Sequence, residues 1–350
     1  MMHSSYSEAD VTILLKDITG LVQPLDTDTR ERKIQSGIPY SEMLPIEYEP
    51  SAEYLRAYYD ALDNFAEVTA QAVASLSEKI WSIRGESTVL VSLARAGTPV
   101  GILLKRYFGY RYGVNIPHYT LSIIRGVGID HNAVDHVLER HPAGSIQFVD
   151  GWTGKGAIKG QLVAALAGRH DISPSLAVLS DPAGVSNLFG TREDFLIPSC
   201  CLNATVSGLM SRTFYRKDVI EENDFHGAVF YGELMDKDLS NAFIRRIEES
   251  FNLGPLKADE QIGGVLGREE VKEIAGVFDI NNTNLIKPGI GEATRVLLRR
   301  VPWKLLVASL EDDKCLGHLY RLAREKGVEV VEYPLRNYKA CGLIRAMSDI

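Results

Sequence analysis

The residues best equipped for chemistry lie between Ser145 and Ala157. Ile146 to Val149 is a short apolar strand that ends on the carboxylate of Asp150. Gly151, Trp152, Thr153, Gly154, Lys155 and Gly156 then form a glycine-rich turn ahead of an apolar, helix-period run from Ile158 to Leu166. In open α/β sheets, ligands bind at such junctions, outside the carboxyl ends of the strands. The glycines let backbone approach a phosphate closely, and the amides of the following helix point at it. Asp150 is placed to accept hydrogen bonds from sugar hydroxyls above that phosphate, so a ribose 5-phosphate fits. Spacing excludes two commoner loops. Gly154-Lys155 is followed by Gly156 instead of the Ser or Thr of a Walker A loop, and the three glycines run G-x-x-G-x-G where a dinucleotide fingerprint needs G-x-G-x-x-G. The alternative is an ordinary tight strand–helix turn.

A second strand-end turn precedes it. Ser87 to Leu93 reads as a strand, Ala94-Arg95-Ala96-Gly97-Thr98-Pro99 as a tight turn carrying a guanidinium, and Val100 to Phe108 as a helix with Pro99 suited to its first position. Between the two turns come a strand over Ile116 to Ile124, a glycine-containing turn from Arg125 to Asp130, and a helix from Ala133 to Arg140.

The stretch around Asp150 resembles the PRPP-binding loop of type I phosphoribosyltransferases, and Arg95-Ala96-Gly97 resembles the pyrophosphate loop of their uracil-type members, in the same order along the chain. It departs in having one acid where two adjacent acids are usual. The resemblance implies a PRPP-dependent phosphoribosyltransferase, a pentosyltransferase that makes a nucleoside-like product from a base-like acceptor. Asp150, Arg95 and the lid cation Arg125 would be catalytic. Ala96, Gly97, Asp150, Gly151, Trp152, Thr153, Gly154, Lys155 and Gly156 would bind PRPP and pyrophosphate with Mg2+, the Thr153 hydroxyl among the phosphate ligands. Asp181 and Gly184, after the strand Ser175 to Leu179, would face the acceptor.

The elements that must position these turns are legible as well. Ser51 caps a long amphipathic helix to about Ile83, ended by Arg84-Gly85. Residues 1–50, with four prolines, read as an arm wrapped over the domain. Ile197 to Cys201 and His226 to Glu233 read as further strands, and Ser240 to Phe251 as the helix that closes a first domain over 51–255. The chain has 350 residues and a net charge of −8, which argues against nucleic-acid binding over its whole surface. Cys200, Cys201, Cys315 and Cys341 form no C-x-x-C pair, and the start of the chain lacks a signal-peptide core, so a reduced cytoplasmic setting is expected. No apolar run is long enough for a membrane span, no metal-ligand spacing is present, and a homo-oligomer stays open.

Charge changes sign near the end. Residues 286–350 carry twelve Lys/Arg against eight Asp/Glu. Gly291 to Arg300 reads as a helix, Trp303 to Leu310 as a strand, Lys314 to Lys326 as a helix, Val328 to Tyr333 as a strand and Lys339 to Met347 as a closing helix. This resembles the pelota-like branch of the kink-turn RNA-binding ribosomal-protein family, on Gly289-Ile290-Gly291-Glu292-Ala293-Thr294-Arg295, Glu311-Asp312-Asp313 and Ala340-Cys341-Gly342. The resemblance implies an α/β/α RNA-binding domain over 262–350, with Gly289, Gly291, Glu292, Thr294 and Arg295 facing structured RNA. Together the halves resemble the phosphoribosyltransferase–pelota fusions of tellurite-resistance stress gene clusters, also labelled the cysteine protease StiP family. Two other functions stay open: a cysteine protease using Cys200 or Cys201, with His118 or His226 as conceivable bases, and a non-catalytic nucleotide-sensing RNA-binding protein.

Overall fold

The computed structural model describes residues 2–257 and 266–345. The start expected for the second unit at residue 262 lies outside them. A six-stranded, wholly parallel sheet forms the centre, in the order β1 (Thr12–Ile13), β4 (His118–Leu121), β3 (Val89–Leu93), β7 (Ile146–Trp152), β8 (Leu176–Ser180) and β9 (Leu188–Thr191). β3 is buried throughout and β7 over Ile146 to Val149, the pattern of parallel strands covered on both faces. The N-terminal arm is partly in the sheet: it supplies edge strand β1 and also β2 (Lys16–Asp17), which pairs with β10 (Gly227–Ala228). It carries the short helix α1 (Thr27–Gln35) as well.

Helix α2 (Ala52–Arg84) is capped by the Ser51 hydroxyl, which accepts from the Tyr54 amide, and ends at Gly85 with φ 53°. Tyr58, Phe65 and Val73 of this helix, Leu104 of α3 (Gly97–Tyr112) and Phe243 of α6 (Ser240–Glu248) bury one face of the sheet. On the other face, Val134 and Val137 of α4 (His131–Leu138) and Leu162 of α5 (Ala157–Ala165) cover Val91, Phe148 and Val178. Pro99 is the third residue of α3, not the first. The turn expected after Ile124 is a small hairpin of β5 (Ile123–Ile124) with β6 (Gly128–Ile129). Cys200 and Cys201 sit in a 3-10 turn, Pro198–Cys201, and not in a strand. The expected strand after His226 shrinks to β10 followed by another such turn, Gly232–Lys237.

The C-terminal unit is a four-stranded sheet, β11 (Ile286–Pro288), β14 (Ala340–Ile344), β12 (Pro302–Val307) and β13 (Glu329–Glu332), with helices α7 (Gly267–Val277), α8 (Ile290–Arg299) and α9 (Asp313–Glu325). The expected closing helix is a strand at its start, β14, and its end at Met347 lies outside the described residues. This unit is not a separate bead. Ile290, Ala293 and Leu297 of α8 and Leu319 of α9 belong to the same apolar cluster as α2 and α3. Arg299 donates to the Cys201 carbonyl at 3.0 Å, and Tyr338 donates to the Gly154 carbonyl at 2.6 Å. The parallel central sheet with helices on both faces and the small C-terminal unit agree with the coarse α/β architecture expected from the sequence.

Candidate functional site

The turns after β3 and β7 open into one cleft of about 880 Å³, whose far wall is α8. Their proximity depends on Gly97: a Cβ there would stand 2.5 Å from the Val149 carbonyl oxygen, so only glycine lets α3 come this close to β7. Arg95, Ala96, Asp150, Trp152, Thr153, Gly154, Lys155 and Gly156 all line the cleft, with Arg125 at its edge bonded to Asn284 at 2.9 Å. Gly156 precedes α5 with φ 77°, and no side chain caps that helix. Its first amides therefore have no intrahelical acceptor and face the cleft region. Thr153 departs from expectation. Its hydroxyl donates to Asp181 and its amide to the Ser180 carbonyl, so neither is available to a phosphate. Asp181 is wholly buried, braced by the Val185 and Ser186 amides and by Arg192. Neither Asp181 nor Gly184 lines the cleft, so the acceptor pocket expected there is not formed by them.

Electrostatics give the cleft its character. Among the described residues, ten lysines and arginines line it against three carboxylates, Glu47, Asp150 and Glu292. Sequence reading found Arg95 but missed Arg212 and Arg299, which complete the densest part of this set. Arg95 and Arg299 both donate to the neutral Asn203 side-chain oxygen, at 2.8 and 2.6 Å, while Arg212 donates to the Tyr40 and Met43 carbonyls. Burial, aided by neighbouring guanidiniums, pushes Arg299 and Arg212 down to about 10. Burial also pushes Lys155 down to about 8, although its ammonium donates to the Thr283 carbonyl at 2.6 Å. Asp150 is pushed up to about 7, chiefly by burial, with Glu292 adding to the rise. Its hydrogen bond from the Gly151 amide, 2.8 Å, and the Arg295 charge oppose it.

The residues expected to face RNA lie mostly against the first domain. Asp194 accepts from the Ile290 amide at 3.0 Å and from the Lys339 amide at 2.8 Å, occupying the N-terminus of α8. Gly289 lies beside Asp194, a Cβ on Gly291 would be 3.0 Å from the Cys200 sulfur, and Thr294 is buried with His318. Arg295 lies a full turn into α8, pairs with Glu292 at 3.5 Å and stands 5.3 Å from the Trp152 ring centre, in the cleft. Gly289, Gly291 and Thr294 are thus covered by internal contacts, while Glu292 and Arg295 line the cleft.

The thiols lack the surroundings of a nucleophile. Cys200 and Cys201 are buried; burial pushes Cys201 up to about 12 and Cys200 well above its ordinary value. Both ring nitrogens of His118 are taken, by Ser92 at 2.7 Å and the Asp10 carbonyl at 2.9 Å, and His226 Nδ1 lies 2.9 Å from Ser122. No histidine lines the cleft among the described residues.

A parallel α/β domain fused to a small C-terminal unit, sharing one basic cleft, defines the class of molecule. Residues 4–248 match the family described as tellurite-like stress resistance cysteine protease StiP, and residues 265–346 match the PELOTA RNA binding domain. A relative from Acinetobacter baylyi, described as cysteine protease StiP, is 38% identical over 98% of this chain and 94% of its own length. The chain belongs to the StiP family. That finding overturns the expected PRPP-dependent phosphoribosyltransferase: the family and relative are described as a cysteine protease, not a pentosyltransferase. Among the described residues, no helix is long and apolar enough to cross a membrane.

Proposed function

We propose that this protein serves tellurite-like stress resistance, the role in its family's description, and that its working site is the interdomain cleft, a receptor for a small phosphate-bearing ligand such as a nucleotide or sugar phosphate. No transfer of the sugar is part of this reading. The observation that carries it is the imbalance of ten cations against three carboxylates around one cavity of ligand size. The uncapped N-terminus of α5 adds backbone donors at the same place. Ribose 5-phosphate titrated into the full chain should bind, with affinity that falls as salt rises. Lys155→Met should weaken that binding by about tenfold, the weight of one charge-assisted contact, and Lys155→Arg should restore it. Because Lys155 is held down to about 8, affinity should also fall between pH 7 and pH 9 as the ammonium is lost. Absence of binding even at low salt would overturn the reading.

A second reading, proteolysis, is favoured by the family's description. Cys200 is the thiol to test, since it packs beside Gly291 of α8, with Arg295 the charge that most opposes the rise burial imposes on it. With the thiol buried and held protonated, the native chain should resist iodoacetamide at pH 7.5, and casein should remain intact. Casein cleavage that disappears in Cys200→Ser would establish the protease and displace the receptor.

A further inference from the structure

One amine in the cleft lacks the partner that usually fixes a lysine's charge. Among the described residues three lysines line the cavity, Lys155, Lys159 and Lys287. Lys155 stands in the turn after β7, and the C-terminal unit holds its side chain. Its Nζ donates to the Thr283 carbonyl at 2.6 Å and to the Ile286 carbonyl at 3.2 Å. Both acceptors are neutral, and among the described residues Lys155 forms no ion pair. Burial lowers its proton affinity, and Lys287 of β11 and Arg125 of the β5–β6 hairpin lower it further. Cys341 of β14 and Glu292 of α8 oppose them more weakly. With the group held down to about 8, roughly a quarter of it is neutral at pH 7.5, against about one part in a thousand for a lysine at 10.5. On Lys159, by contrast, burial acts alone. A lysine desolvated beside other cations, with no carboxylate upon it, is a nucleophile at neutral pH. Its surroundings also carry protons and hold it in place. The Glu292 side chain packs beside Gly154, where a Cβ would stand 3.9 Å from its Cγ, and Asp150 lines the same cleft. The Tyr338 hydroxyl donates to the Gly154 carbonyl at 2.6 Å and so pins the turn from which Lys155 projects.

We propose that Lys155 is a condensing amine, and that the cleft captures a small phosphorylated aldehyde as a reversible imine on its Nζ. The nitrogen lone pair attacks the aldehyde carbon, and one N–H proton passes to the carbonyl oxygen, giving a carbinolamine. The C–O bond then breaks, the hydroxyl leaves with a further proton as water, and a C=N bond remains, protonated on nitrogen. Nothing is oxidised or reduced. Glu292, beside the turn, is the carboxylate placed to relay these protons. The inference rests on the receptor reading of the cleft for the phosphate, which would lie on the amides at the start of α5. It narrows the ligand to a phosphate that also carries a free aldehyde, such as an open-chain aldose phosphate. It also gives the C-terminal unit a part in the chemistry, because the Thr283 and Ile286 carbonyls aim the amine.

The test incubates the full chain with glyceraldehyde 3-phosphate at pH 7.5, reduces with borohydride and maps the product by mass spectrometry. Reduction turns the imine into a stable secondary amine, and a single adduct should appear, on Lys155. Glyceraldehyde, which has the aldehyde without the phosphate, should give at least about tenfold less, the weight of charge-assisted contacts to that group. Glycerol 3-phosphate, which has the phosphate without the aldehyde, should suppress the adduct. Lys155→Arg keeps the cation but has no primary amine, so it should lose the adduct, which separates condensation from simple charge. Thermal unfolding checks that this variant folds, and mapping on the native chain depends on no variant at all. Adducts spread over surface lysines, or centred on Lys159 or Lys287, would overturn the assignment. If ribose 5-phosphate binds in calorimetry and no adduct forms on Lys155, the condensing amine is overturned while the receptor reading stands. An adduct on Lys155 that forms equally with glyceraldehyde and ignores glycerol 3-phosphate would uphold the amine and overturn the phosphorylated ligand together with the receptor reading. If neither binding nor an adduct is seen, both fall.

Discussion

Asp194→Ala is expected to destabilise the protein by about 2–5 kcal/mol, because two buried amides, those of Ile290 and Lys339, lose their carboxylate acceptor. That is a large share of the roughly 5–15 kcal/mol that holds a domain folded. The loss falls on the contact between the two units, since Asp194 follows β9 while both amides belong to the C-terminal unit. The same carboxylate lies at the positive end of the α8 dipole, so the variant also removes a favourable helix–charge interaction. Loosening this contact moves Gly291 away from the Cys200 sulfur, the close neighbour that helps to seal it. The urea midpoint should therefore drop, and Cys200 should become open to iodoacetamide under conditions where the native thiol is inert. Asp194→Asn, which keeps one acceptor oxygen and the shape, should fall between the two. A midpoint and an alkylation rate both unchanged in the alanine variant would show that Asp194 does not hold the units together.

Much of the scaffold was legible because apolar runs ended in glycine-rich turns. The β3–α3 and β7–α5 junctions follow directly from Val89 to Gly97 and from Ile146 to Gly156. The closing element failed for a physical reason. Ala340 to Ile344 is apolar throughout, a run that fits a buried helix or a buried strand equally, and here Gly342 must pass beneath Val296 of α8, where a Cβ would stand 3.0 Å away. Strand β9 escaped notice because it is four residues long and contains Gly190, whose missing side chain lets the Ala72 carbonyl of α2 approach. The strand-end turns of the cleft could be found, since each is a continuous stretch. Its arginine end could not be, because Arg95, Asn203, Arg212 and Arg299 are far apart in the chain and are joined only by folding. Net charge concealed them further: a chain of −8 overall gives no sign of a cavity where cations outnumber carboxylates. The identity of the family was legible in both halves, but the transferase chemistry inferred from the loops was not upheld.

Asp150→Asn is expected to stabilise the protein at pH 8 and to change little at pH 5. Burial holds the Asp150 carboxyl near 7, about three units above its ordinary value of 3.8. Between those two values the folded chain keeps a proton that the unfolded chain has released. The stabilising contribution is therefore complete below about pH 4 and is lost as pH rises through about 7. Three units correspond to about 4 kcal/mol as an upper bound, and the partial exposure of Asp150 reduces this to about 2–3 kcal/mol. Asparagine keeps the shape and lacks the charge, so its advantage should appear in urea midpoints at pH 8 and shrink by pH 5. What slope persists in the variant between pH 4 and 6 belongs in part to Asp194, itself pushed up to about 6 by burial. Function is linked to the same proton. An anion entering the cleft disfavours the Asp150 carboxylate, so ribose 5-phosphate binding at pH 8 should take up part of a proton, seen as an enthalpy that varies with the ionisation heat of the buffer. Asp150→Asn should reduce that dependence and leave the part that belongs to Lys155. Equal midpoint differences at pH 5 and pH 8, or a buffer dependence undiminished in the variant, would show that Asp150 titrates as an ordinary surface acid and that the proton comes from elsewhere.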